Sequence, residues 1–233
     1  MAGFEVSFTR KRVRNINLRI RPSNGAIQVS APLTVSRHLV EDFVASRSDW
    51  ISAAQQRVLA RQSIAEPELV SGATLMWFGQ SLELSIQQIQ TSEKRNSAEV
   101  DGGRFILRLR HDLSSEKCQA EMSKLLEETY REELQSRLPA MLEKWEPVVG
   151  VKAKECRVRR MKTRWGSCNI HKARIWISLE LAKYPLECVE YVLVHELTHL
   201  LEPSHNSRFH RLVGEVMPDW KQRKRLLHLG RSV

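Results

Sequence analysis

The chain has 233 residues, 42% hydrophobic and 27% charged, enough to bury a sizeable core and ordinary for a folded globular protein. Lys and Arg outnumber Asp and Glu by 37 to 27, a net charge of +10 that bears on anionic partners or a solvated basic surface, not on fold. No apolar run has membrane-span length, MAGFEVSFTRKRVRN has no signal-peptide core, and Cys118, Cys156, Cys168 and Cys188 form no C-x-x-C pair. These features predict a cytoplasmic protein without a membrane partner, its thiols reduced and mostly buried.

In chain order, FEVSFTRKR and NINLRIRP read as strands, with a turn at SNG before AIQVSAP resumes the alternation as a hairpin. From Thr34 to about Gln62 the period becomes helical, marked by Leu39, Phe43, Trp50, Ile51 and Val58. ATLMWFGQSLELSIQ predicts a second hairpin turning at Gly79-Gln80, QTSEKRNSAEVDGG a loop, and RFILRLR a strand. The stretch SSEKCQAEMSKLLEETYREELQSRLPAMLEKW is a long amphipathic helix with Leu125, Leu126, Tyr130, Leu134, Leu138, Met141 and Trp145 on its stripe. Pro139 should bend or interrupt it.

CRVRRMKTRWGSCN and ARIWISLE then suggest two strands joined through Gly166, Asn169 and Ile170. A helix from Pro185 to about Leu201 follows, ended by Pro203, and Asn206 caps another through about Val216. The expected class is α+β, with a β-rich N-terminal region over 1–112 and an α+β C-terminal part over 113–233.

YVLVHELTHLLEPSH, residues 191–205, gathers three of the chain's 8 histidines around a glutamate. On a helix His195 and His199 share one face, so both imidazoles converge on one ion. Glu196 is rotated about 100° away, beside the metal, where it can take a proton from a zinc-bound water. A catalytic zinc needs three protein ligands and one open position, and His205, beyond the turn at Glu202-Pro203, can supply the third. A capping or surface His205 is the competing reading. The spacing also approaches the metzincin pattern H-E-x-x-H-x-x-G-x-x-H, but Glu202 stands where that pattern needs glycine for its turn.

HELTHLLEPSHNSRFH, MPDWKQRKRLL and the upstream MKTRWGSCN together resemble the YgjP-like metallopeptidase family, whose members are related to gluzincins and similar to SprT-like proteases at the active-site helix. RNINLRIRPSNGAIQVSAP, the SDWI around Trp50 and WFGQSLEL extend the likeness over nearly the whole chain. The resemblance implies a β-rich N-terminal part and a compact zincin-like catalytic part. By motif match it implies His195, His199 and His205 as zinc ligands and Glu196 as the catalytic residue.

Arg164, Trp165 and Cys168 have two readings each, and their neighbours one. RMKTRWGSC could serve as an edge strand that binds peptide, with Gly166 allowing close backbone approach. Arg164 reads as a structural ion-pair partner or as a contact for an oxyanion or substrate carboxylate. Trp165 fits a core position better than a substrate platform, and Cys168 a buried structural thiol better than a zinc ligand. His210 reads as a helix-surface residue, and Glu202 as a turn residue orienting a ligand.

The leading function is a zinc-dependent peptidase acting on peptide or protein. The basic runs TRKRVRNINLRIR, RVRRMKTR and KQRKR keep two others open: a metal-dependent hydrolase of an anionic small molecule such as a nucleotide phosphoanhydride, and a nucleic-acid-associated protease.

Overall fold

The computed structural model describes residues 1, 3–21, 24–63, 69–89, 95–110, 114–161 and 163–229. The chain divides into two compact units, Met1–Glu68 and Leu69–Val233. The four-stranded sheet, which the sequence reading grouped with the N-terminal region, thus shares a unit with the three-histidine segment.

The first unit holds a three-stranded sheet in the order β1-β3-β2, built from β1 (Val6–Arg10), β2 (Asn17–Ile20) and β3 (Ile27–Ala31). β2 and β3 form the expected hairpin, and β1 joins β3 in parallel. The expected helical segment is two helices, α1 (Arg37–Ala45) and α2 (Ser48–Ser63). Ser36 caps α1 by accepting a hydrogen bond from Leu39 N–H. Val40, Val44 and Ile51 face the core with Ile27 and Val29, whereas Leu39 and Trp50 are exposed. The core stripe is therefore rotated by one residue from the predicted one, because Val40 and Val44 compete for the same face at the same spacing.

In the second unit, β4 (Thr74–Trp77), β5 (Gln80–Ile89), β6 (Ser97–Asp101) and β7 (Arg104–Arg110) form a sheet in the order β4-β5-β7-β6. The β4–β5 hairpin turns on Phe78 and Gly79, one residue before the predicted pair, and both have positive φ, 46° and 82°. That is the two-residue primed turn whose twist suits paired strands. Phe78 accepts this conformation while its N–H, and that of Gly79, donate to the carbonyls of Ala182 and Lys183. β6 lies within the stretch expected to be a loop. It is a mostly exposed edge strand, legible only through its pairing with β7 and the Glu99–Arg108 ion pair. Residues 90–94 of that predicted loop lie outside the described residues.

The helix α3 (Ser115–Val149) runs unbroken for 35 residues, so Pro139 does not interrupt it. Leu134, Leu138, Met141 and Trp145 continue one buried stripe across the proline, and the packing of four large side chains outweighs a penalty of about 3 kcal/mol. α3 serves two cores. Met122 and Leu125 pack under the four-stranded sheet, and the stripe from Tyr130 to Val149 packs on the elements that follow.

Those elements begin with β8 (Glu155–Arg159), β9 (Gly166–Asn169) and β10 (Arg174–Ser178), a sheet in the order β8-β10-β9. The first of the two strands expected here is two: ECRVR pairs in parallel with β10, and GSCN pairs antiparallel to it. Gly166 opens β9 and is not part of the joining turn. After a 3₁₀ turn at Leu179–Lys183, Pro185 leads into α4 (Leu186–Thr198). α4 ends earlier than predicted, and a tighter turn, in which Leu200 N–H and Leu201 N–H donate to the carbonyls of Leu197 and Thr198, replaces its last residues. Asn206 caps α5 (Ser207–Val216) as expected, and α6 (Trp220–Leu229) follows unforeseen. No described helix is long and apolar enough to cross a membrane.

Candidate metal centre

α4 is buried on nearly every side, through Val189, Val192, Leu193, Val194 and Leu197. Its position is tied by Glu190, which accepts hydrogen bonds from Lys144 on α3 (2.6 Å) and Arg223 on α6 (2.7 Å). One face of the helix end is left open to a cleft of ≈ 760 Å³. His195 and His199 project from that end one turn apart, and the turn at 200–205 brings His205 back over them. His205 Nε2 lies 2.8 Å from His195 Nε2 and 3.1 Å from His199 Nε2. The ligand atoms of all three lie within 4.8 Å of one another.

The surroundings fix these rings. His199 Nδ1–H donates to the Glu202 carbonyl (3.1 Å), which leaves Nε2 as a lone pair aimed at its two neighbours. The carboxylate of Glu202 accepts from Ser204 N–H and pairs with Arg208, so this nearly buried glutamate holds the turn together. Phe209 makes a common floor, its ring centre 4.6 Å from His199 and 4.9 Å from both His195 and His205. Asn206 sets it there by accepting the Phe209 N–H at the start of α5. Phe209 was absent from the sequence reading. Its signal was position: three residues past a helix cap and four past the last histidine.

Burial, together with the neighbouring imidazoles, pushes His195 down to about 3, and the same causes lower His205. Three nitrogen lone pairs converging without protons repel one another unless a cation sits among them, and this donor set suits a metal of zinc type better than the oxygen-seeking Mg²⁺ or Ca²⁺. The residues present therefore fit a metal.

Glu196 is buried beside the cluster, 6% exposed. Burial raises its carboxyl to about 8, while Arg164 draws it down. Its slot exists because Gly166 has no side chain: a Cβ there would lie 2.6 Å from Glu196 Oε1, 2.7 Å from its Cγ and 2.8 Å from Val192 Cγ1. What Gly166 admits at close range is the side chains of Glu196 and Val192 on α4.

The remaining candidates divide. Arg164 is exposed at the cleft with no carboxylate at ion-pair distance among the described residues, so the ion-pair role is not seen. Trp165 is half-buried, edge-on to Tyr184 at 4.8 Å, and also lines the cleft. Cys168 lies outside the metal-capable group, and burial, with Glu196 nearby, pushes its thiol to about 11. Of the four free thiols only Cys188 is buried; the other three are half-buried. His210 stacks on Trp220, 5.5 Å apart at 10°. Of the basic runs, Arg157 and Arg160 pair with Glu155 and Glu127, and Arg223 with Glu190 and Asp219.

The sequence pattern of the YgjP-like metallopeptidase domain matches residues 14–229. The chain belongs to this family. As a YgjP-like metallopeptidase it is a hydrolase that uses a metal, with peptide or protein as substrate class. Among solved structures, the metallopeptidase zymogen of Pyrococcus abyssi abylysin is 26% identical over 36% of this chain and 86% of its own, with a TM-score of 0.34. Among curated proteins none matches.

Proposed function

We propose that this YgjP-like chain is a zinc-dependent peptidase in which His195, His199 and His205 hold the metal and Glu196 is the general base. The observation that carries this reading is the convergence of three Nε2 atoms beside one buried carboxylate. When bound, zinc supplies Lewis-acid polarisation of the scissile carbonyl and lowers the pKa of water to about 7.

Glu196 accepts the proton of the attacking water at one carboxylate oxygen and delivers it to the amine that leaves. Its burial excludes competing solvent, and its contact with Gly166 restricts where the carboxylate can point. Glu202 keeps His199 in the tautomer a metal requires, through its carbonyl. β9 is an edge strand whose Gly166, Ser167 and Cys168 line the cleft, so an extended peptide can add to it and lie across the histidines. In this proposal the catalytic part is 113–233, since every described residue lining the cleft falls there.

The test is metal content and peptide turnover measured together. Glu196→Gln keeps its metal and loses about 10²–10⁴-fold in turnover. His195→Ala and His199→Ala each lose stoichiometric metal, because two remaining ligands hold zinc poorly. Near wild-type turnover by metal-loaded, folded Glu196→Gln would refute the role of this glutamate.

A further inference from the structure

Two cations line the cleft, Arg164 just before β9 and Lys224 on α6, and the sole carboxylate in its lining is Glu196. Among the described residues neither cation has a carboxylate at ion-pair distance, whereas Arg131, Arg137, Arg157, Arg174 and Arg223 of the same unit are all paired. Lys224 sits with its ammonium 5.8 Å from the Trp220 ring centre, on the wall that also carries His210 and His228. A cation on this wall opposes any metal ion held by the three histidines of the same cleft, so the arrangement weakens the very site it borders. An anionic group arriving with the substrate removes that conflict. It pairs with the cation in a partly desolvated cleft, where such a contact discriminates between ligands.

We propose that Lys224 and Arg164 select peptides carrying acidic side chains next to the bond that lies over the three histidines. This rests on the peptidase reading for the identity of the ligand, and it names the substrate class of that site. Lys224, on α6, is the member of the pair chosen for substitution. It is exposed, so its replacement costs the fold little.

Three synthetic peptides, identical except for Glu, Gln or Lys at the two positions flanking the central bond, are measured in two ways. Fluorescence polarisation reads their binding to metal-loaded Glu196→Gln protein, and mass spectrometry reads their cleavage by the wild type. The acidic peptide binds about tenfold more tightly than its Gln counterpart, one favourable charged contact. Added salt erodes that margin, and Lys224→Glu reverses the preference toward the Lys peptide. Equal binding of the three peptides, or a preference unchanged by Lys224→Glu, overturns the proposal. So does Lys224-dependent binding of a nucleotide with none of the acidic peptide. An acidic preference in binding with no cleavage of any peptide sustains the subsite and overturns the peptidase reading. Cleavage of all three alike does the reverse.

Discussion

A methyl group at position 166 has nowhere to go except into Glu196 or Val192, yet the glutamate is the end of a flexible chain and can move. The displacement is therefore easier for the fold than for the chemistry. We expect Gly166→Ala to lose about 1–3 kcal/mol of stability. It should keep its full metal content and fall at least about tenfold in kcat, since 1.4 kcal/mol of lost transition-state stabilisation already gives that factor. Unchanged kcat in a folded variant would show that Glu196 does not depend on this slot. His205 poses the complementary case. It is exposed and comes from a turn, so His205→Ala should weaken metal affinity substantially while its thermal unfolding without metal matches that of the wild type. Titration against a competing chelator reads the first effect and calorimetry of the metal-free proteins the second. Unaltered affinity would reduce His205 to a surface residue.

At the scale of elements, α4 owes its position to a carboxylate outside the proposed chemistry. Burial raises the Glu190 carboxyl, but hydrogen bonds from Lys144 and Arg223 outweigh burial and hold it below the ordinary value of 4.5. A lowered carboxylate contributes stability that is fully present above its unfolded pKa and is lost as pH falls through the folded one. The melting-temperature gap between wild type and Glu190→Gln should therefore be widest at neutral pH and narrow below about pH 4.5. Losing charged hydrogen bonds worth about 2 kcal/mol corresponds to roughly 4–8 °C in a unit this large. A gap that does not change with pH would mean that Glu190 acts through packing alone. The elements themselves were legible in the sequence to different degrees. The stripe of α3 was read almost residue for residue, because seven apolar positions at helical spacing leave one solution. α1 was rotated by one residue, because Leu39 and Val40 fit the period equally and only the core decides between them. β6 was missed because SAEVD carries no strand signal of its own, and α6 because its polar face dominates KQRKR. At the site, the histidines were readable because their spacing is local. The pairing of Gly166 with Glu196 joins positions thirty residues apart, and no periodicity reports on that.

At the scale of the whole molecule, every described residue lining the cleft belongs to the unit Leu69–Val233. Both large cores of that unit are closed by α3 and its own sheets. We expect a chain starting at Leu69 to fold and to bind metal with wild-type stoichiometry, as measured by circular dichroism and metal analysis. A fragment that stays unfolded at neutral pH would show that Met1–Glu68 completes the core. The three imidazoles, by contrast, all come from eleven consecutive positions, and this has a consequence for assembly. Closing so short a loop costs little entropy, so the unfolded polypeptide is already a weak chelator. A metal with some affinity for both states stabilises the native one by less than its native affinity alone predicts. Metal capture can therefore run ahead of folding, while the proposed base, Glu196, reaches its slot only when β9 closes against α4. If the three histidines hold the metal as proposed, the newly made chain passes through a stage in which it is loaded with its ion and still inert.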